Sequence, residues 1–196
     1  DINYRIQVEK KLFAHKDSKL RPDLFSSVKE KDFTIPIAEN LFASPALKDT
    51  ILNAIYQIKP FENKKYRYSD LNFVLLQKAV ENITGESIDK YLMTNFFAPL
   101  GANRTTFRPL LKINRSEIAP TENDEFLRKQ IMIGYPHDEL ACFLGGVSGN
   151  AGLFSNSTDM AKILQMMLKL HHTKEMENGK TQRKLLTQCQ ESAITI

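Results

Sequence analysis

Five of the chain's eight glycines, Gly134, Gly145, Gly146, Gly149 and Gly152, fall in the short stretch from Gly134 to Ser155. Glycine lets a backbone turn sharply and approach a second group closely. A loose linker would surround such glycines with polar residues. Here Leu140, Phe143, Leu144, Val147, Leu153 and Phe154 interleave with them. The segment is therefore expected to pack under a folded body. A chain of 196 residues is long enough to supply that body.

The pattern around the loop predicts an α-rich α+β chain with few strands. Apolar residues recur three and four apart from Asp49 to Tyr56. Ser69 or Asp70 opens a second helix that turns Leu71, Val74, Leu75, Ala79, Val80 and Ile83 inward and stops at Gly85. Ser87 caps a third helix carrying Ile88, Tyr91, Leu92 and Phe96, which ends at Pro99-Leu100-Gly101. A fourth starts within Ser155–Asp159 and buries Met160, Ile163, Leu164, Met167 and Leu168. Strands are expected at Thr105–Phe107, at Gln130–Ile133 and along the alternating Ile2, Tyr4, Ile6 and Val8. Asp17 to Pro36 is polar and broken by prolines, which reads as an irregular surface excursion. The expected plan is that excursion over about 17–45, a helical body over about 46–100, the glycine-dense cleft loop 134–155 and a helix over about 156–171.

Charge and composition exclude several function classes. The 27 lysines and arginines stand against 23 acidic residues and are scattered without a dense stripe, so no nucleic-acid partner is expected. The longest apolar-leaning segment, Met160–Leu170, is interrupted by Lys162, Gln165 and Lys169, so no membrane span is expected. Asp1-Ile2-Asn3-Tyr4-Arg5 lacks the basic start and apolar middle of a signal peptide. Cys142 and Cys189 have no paired spacing, which argues against a disulfide framework or a zinc site and for isolated thiols. His137 has no second histidine at ligand spacing, and His171-His172 suits the negative end of a helix dipole. Neither a metal nor a cofactor is implied.

Two segments are unexplained by folding alone: Tyr66-Arg67-Tyr68-Ser69-Asp70 and the glycine-dense loop. Tyr68-Ser69-Asp70-Leu71 leading a helix is followed by Thr84-Gly85-Glu86-Ser87, Tyr91 and Pro99-Leu100-Gly101. Further on come Ala119-Pro120-Thr121-Glu122-Asn123-Asp124, His137-Asp138, Leu144-Gly145-Gly146 and Ala151-Gly152-Leu153-Phe154-Ser155, with Asp159 in the helix that follows. This ordered set resembles the β-lactamase-related serine hydrolases, which include class C β-lactamases, D-alanyl-D-alanine carboxypeptidases and esterases. A Bacteroidetes-type branch is the nearest likeness. The resemblance runs from about Arg21 to the fourth helix and implies the helical portion of a β-lactamase/transpeptidase-like fold, its flanking sheet strands missing.

The family mechanism joins a Ser-x-x-Lys nucleophile, a Tyr-x-Asn/Asp proton relay and a Lys/His-Thr-Gly strand. A serine hydroxyl needs such a positioned base to become a nucleophile. By resemblance, Tyr68 is the relay and Asp70 its polar partner, where many members have Asn. Ser26-Ser27-Val28-Lys29 lies too close ahead of Tyr68, and Ser87-Ile88-Asp89-Lys90 lies after it, so both read as chance matches. No Lys/His-Thr-Gly occurs. The resemblance thus implies a central fragment, inert alone, whose nucleophile and closing strand lie on the remainder of a parent chain. It also implies a small-molecule or peptidoglycan-like acyl substrate and a bacterial cell-envelope or periplasmic setting.

Each candidate has a plainer role to be weighed. Tyr68 could be a packed aromatic with a bonded hydroxyl, and Asp70 a helix cap. His137 and Asp138 could line the cleft or fix a loop by a hydrogen bond. Gly145, Gly146 and Gly152 are expected on the cleft rim. Asn150 stands where the family often has His; Pro136 and Leu140 replace Val and Asn. A non-catalytic binding or interaction module on the same architecture is the rival reading.

Overall fold

The structure is a computed structural model that describes residues 13–14, 19–58 and 68–172. The alternating segment from Ile2 to Val8 and Cys189 lie outside the described residues. The chain divides into two compact units, Asp1–Lys78 with Asn114–Gly152, and Ala79–Ile113 with Leu153–Ile196.

The first unit opens with strands β1 (Phe13–Ala14), β2 (Lys19–Leu20), β3 (Phe25–Ser26), β4 (Ile35–Ala38) and β5 (Leu41–Ala43). β1 pairs with β2, and β3, β5 and β4 form an antiparallel sheet in that order. The expected irregular excursion is corrected in part: among the described residues 19–45, the short strands β2 to β5 alternate with turns and irregular chain. Pro36 is tolerated because β4 is an edge strand. Asn40 makes the β4–β5 turn with a positive φ that its short polar side chain tolerates.

Helix α1 (Pro45–Tyr56) starts four residues before the apolar spacing does. Ser44 caps it, accepting from the Ala46 N–H, and Pro45 takes the first turn where its missing N–H costs nothing. Leu47, Ile51 and Ile55 then form its buried stripe. They join Phe25, Ile37, Ala43, Val74, Leu127, Cys142, Phe143 and Leu144 in one core. The rings of Phe25 and Phe143 meet tilted, 5.7 Å apart.

Helix α2 (Leu71–Thr84) begins in the first unit and ends in the second. Its buried residues are Val74 and Gln77, whereas Leu75 and Ala79 are exposed and Ile83 is 85% exposed. The expected inward face is thus corrected. Apolar residues lie all round this helix, so spacing alone could not choose the side that packs.

In the second unit, helix α3 (Ile88–Leu92) follows Ser87 and passes into a π-helical turn, Met93–Phe97. Strand β6 (Thr106–Phe107) pairs with the later β9 (Leu153–Phe154), and a 3-10 turn, Pro109–Leu111, follows β6. Helix α5 (Ser157–His172) follows β9. Its buried residues include Asp159, Ile163 and Met166, the last two packed with Phe97, Leu100 and Ala102. Met160, Leu164, Met167 and Leu168 are exposed, against expectation. The reason is Asp159. Its carboxylate accepts from the Arg104 N–H at 2.7 Å and the Thr105 hydroxyl at 3.3 Å, so the face bearing this buried charge must turn inward.

The first unit is completed by the hairpin β7 (Pro120–Asp124) and β8 (Gln130–Ile133) and by helix α4 (Glu139–Phe143) inside the glycine-dense segment. β8 and the strand at Thr106–Phe107 follow expectation; β7 and α4 were not foreseen. The fold is mixed α+β with five α-helices and short antiparallel strands among the described residues.

Cys142 sits in the core of α4 and donates from Sγ to the Ile37 carbonyl at 3.0 Å. Burial pushes its thiol up to about 11, against the opposing pull of Arg128, so it stays protonated at neutral pH. Iodoacetamide at pH 8 should leave Cys142 unmodified in the native chain and alkylate it fully in denaturant, read by peptide mass. Native alkylation at the denatured rate would contradict this packing.

Candidate functional site

The glycine-dense loop is held from one side by the β7–β8 hairpin. Asp124 closes the turn by accepting from the N–H groups of Phe126 at 3.0 Å and Leu127 at 2.8 Å. That turn, with Lys129 at positive φ, brings Arg128 back onto Asp124 with its guanidinium fully buried. Arg128 donates to Asp124 through Nε, to Glu122 at 3.2 Å, and to the carbonyls of Pro136 at 2.7 Å and His137 at 2.8 Å. One cation therefore satisfies two carboxylates of the hairpin and two carbonyls at the start of the loop. Charge-assisted bonds of this kind are the strong ones, and a buried arginine needs all its donors placed.

The loop then continues through Asp138. Its carboxylate caps α4, accepting from the Ala141 N–H at 2.6 Å, and also accepts from the Asn150 side-chain amide at 3.1 Å. The Asn150 carbonyl oxygen in turn accepts from the buried Ser148 hydroxyl at 2.6 Å. An asparagine fits here because it offers a donor and an acceptor together. Gly145 and Gly146 take positive φ and end α4. Gly152 is fixed by close approach, since a Cβ there would stand 2.8 Å from the Gly146 carbonyl oxygen.

On the other side the loop meets α2. The Gly149 N–H donates to Oε1 of the buried Gln77 at 2.9 Å. A Cβ on Gly149 would lie 2.2 Å from the Phe73 carbonyl oxygen, so no other residue fits without displacing the helix backbone. This contact is what selects the buried face of α2. Tyr68 stands just before the helix, 64% exposed, with its ring 6.2 Å from that of Phe73 and tilted 49° to it. A fully packed tyrosine would be covered; this one presents its ring. Asp70 accepts through its backbone carbonyl from the N–H groups of Phe73 and Val74, at the first turn of α2.

All eight residues singled out from sequence therefore fall in the first unit. Asp138 and Asn150 are hydrogen-bonded, and Gly146 and Gly152 are in close approach. Tyr68 and Asp70 head the helix on which Gly149 rests. His137 is exposed and takes part through its backbone carbonyl. Sequence reasoning missed Arg128, Asp124 and Gln77. Asp124 lay in a quoted motif, but nothing in local spacing marks a buried arginine in a turn. Among the described residues no cluster of three or more His, Cys, Asp or Glu is placed to hold a metal ion.

Residues 30–192 match the beta-lactamase family, described as "Beta-lactamase". The chain belongs to the beta-lactamase family. Within that family it is 40% identical over 116 residues to an Escherichia coli (strain K12) protein named "Putative D-alanyl-D-alanine carboxypeptidase", covering 53% of this chain and 27% of that protein. A Salmonella schwarzengrund (strain CVM19633) protein of the same name is 37% identical over 147 residues, covering 67% of this chain and 33% of its own length. The chain thus spans between about a quarter and a third of these relatives. No solved structure gives a significant match.

Asp124 links the site to pH. Burial opposes its charge, yet the hydrogen bonds from Arg128 and the Leu127 N–H outweigh that and hold its carboxyl below the usual value. A group depressed in the folded state stabilises fully above its unfolded pKa, about 3.9, and that stability is lost as pH falls through the lower folded value. Asp124→Asn should cost about 2–3 kcal/mol at pH 7. Urea midpoints should show the wild-type chain losing more stability than the variant on going from pH 5 to pH 3. Parallel curves would exclude Asp124 as the titrating group.

Proposed function

We propose that this chain carries the tyrosine-bearing part of a serine acyl hydrolase, working through an acyl-enzyme on peptides or esters of the D-alanyl-D-alanine type. The observation behind this reading is the placement of Tyr68. It is exposed at the head of α2, and α2 is locked by Gln77 and Phe73 to the loop that Arg128 holds. The substrate class is taken from the relatives' printed name.

The reading also assigns the nucleophile to a segment outside these 196 residues. Ser26 lies on β3 and its hydroxyl accepts from the Val28 N–H at 3.1 Å, so Ser26 and Lys29 do not share a helix face. Ser87 precedes α3, and Lys90 is paired with Glu86 at 2.8 Å. Neither pair is arranged as a hydroxyl next to a base. The covered quarter to third of the relatives leaves room for the missing elements.

In the proposed reaction the outside serine attacks the acyl carbon, the scissile bond to the leaving amine or alcohol breaks, and water later releases the acid. Tyr68 takes the serine proton and hands it to the leaving group, with Asp70 as its polar neighbour. His137, Asp138, Asn150 and the glycines Gly145, Gly146 and Gly152 form the substrate-facing rim. A bacterial envelope setting fits a cell-wall substrate. Among the described residues no helix is long and apolar enough to cross a membrane.

Acylation by a fluorescent penicillin tests the assignment. In the full-length protein, Tyr68→Phe should lower the acylation rate roughly 10²–10⁴-fold, while the 196-residue chain alone takes no label. Unchanged acylation in the variant would remove Tyr68 from the mechanism. Stoichiometric labelling of the chain alone would place the nucleophile within it.

A further inference from the structure

In the second unit a hollow of about 270 Å³ opens between α3, with its π-helical continuation, and the segment running from β6 into the following 3-10 turn. None of the residues discussed as site candidates lines it. Its floor is apolar, made by Met93, Phe97 and Phe107, with Leu111 beside them.

Three departures from ordinary packing converge there. Met93 and Phe97 are the first and last residues of the π-helical turn. Such turns are rare and recur at functional sites. Arg108 holds a left-handed backbone, φ 48° and ψ 59°, which a non-glycine residue adopts at a cost and which clusters at ligand clamps. Leu111 is 76% exposed although an apolar floor lies next to it.

Charge on the rim narrows the occupant. Lys90 is neutralised by Glu86 at 2.8 Å, and Arg108 by Asp89. Lys112 reaches only the Asn103 carbonyl, at 3.5 Å, and meets no carboxylate among the described residues. Three cations against two carboxylates leave one positive charge above an apolar floor. The volume is a little under the roughly 300 Å³ at which drug-sized pockets begin, so the ligand is small.

We propose that this hollow binds a small amphiphilic carboxylate. The single negative charge is taken by Lys112 and the neighbouring edge of the Arg108 guanidinium, and a short hydrocarbon tail covers Met93, Phe97 and Leu111. A dianion would leave a charge uncompensated, and a neutral chain would leave Lys112 unused. The site stands on residues 89–112 alone and does not depend on the hydrolase reading.

Octanoate titrated into the whole chain, followed by methyl NMR, tests it against octanol and acetate. Octanoate should shift the Met93 and Leu111 methyls saturably and bind roughly tenfold tighter than either analogue, since each lacks one half of the recognition. Lys112→Gln and Leu111→Ser, both at exposed positions, should each weaken octanoate by about fivefold with the circular dichroism spectrum unchanged. Octanol binding as tightly as octanoate would overturn the proposal, as would unaltered affinity in both variants or methyl shifts confined to other residues.

Discussion

The organisation of the first unit depends on one buried guanidinium. Arg128 has no contact with water and must find partners for its donors inside the protein. It finds them in two carboxylates of its own hairpin and two carbonyls of the following loop. The hairpin turn and the loop entry are thereby fixed against each other. Everything downstream follows from that anchor: Asp138 is set to cap α4, Asn150 bridges to Asp138, and Gly149 reaches α2. A segment rich in glycine would otherwise lose much entropy on ordering. Polar bonds at both its ends offset that cost.

The same network explains why a loop, and not a regular element, shapes the candidate site. Close approach to Phe73 demands glycine at 149, and close approach to Gly146 demands glycine at 152. These contacts place the loop against the first two turns of the helix that Tyr68 heads. The match shows the beta-lactamase family, and the packing shows the glycine-dense loop bonded to the helix that follows Tyr68.

Much of this was legible in the sequence, and the misses share a cause. Glycine density and interleaved apolar residues announced a packed loop; of those apolar residues Phe143 and Leu144 are buried and Leu140, Val147 and Phe154 half-buried, whereas Leu153 is exposed. The positions of four of the five helices followed from apolar spacing; α4 was not foreseen, and Ser87 makes no side-chain cap bond to α3. Helix faces did not follow from spacing. In α2 and α5 apolar residues are spread too widely for spacing to choose, and the side that packs is chosen by polar contacts: Gln77 with Gly149, and Asp159 with Arg104 and Thr105. Such contacts join residues 54, 55 or 72 positions apart, beyond the reach of any local pattern. The short strands between residues 17 and 45 were hidden for a related reason, since strands of two to four residues carry too few alternations to be read.

The central claim is that Arg128 holds the glycine-dense loop against the tyrosine-bearing helix. Amide hydrogen exchange in Arg128→Met measures this directly. Protection should fall across residues 134–150 and in the first two turns of α2, while residues 153–168 keep the wild-type pattern. Exchange that rises only in the β7–β8 turn, with the loop still protected, would show that the loop holds itself and that Arg128 is a local fastening of the hairpin.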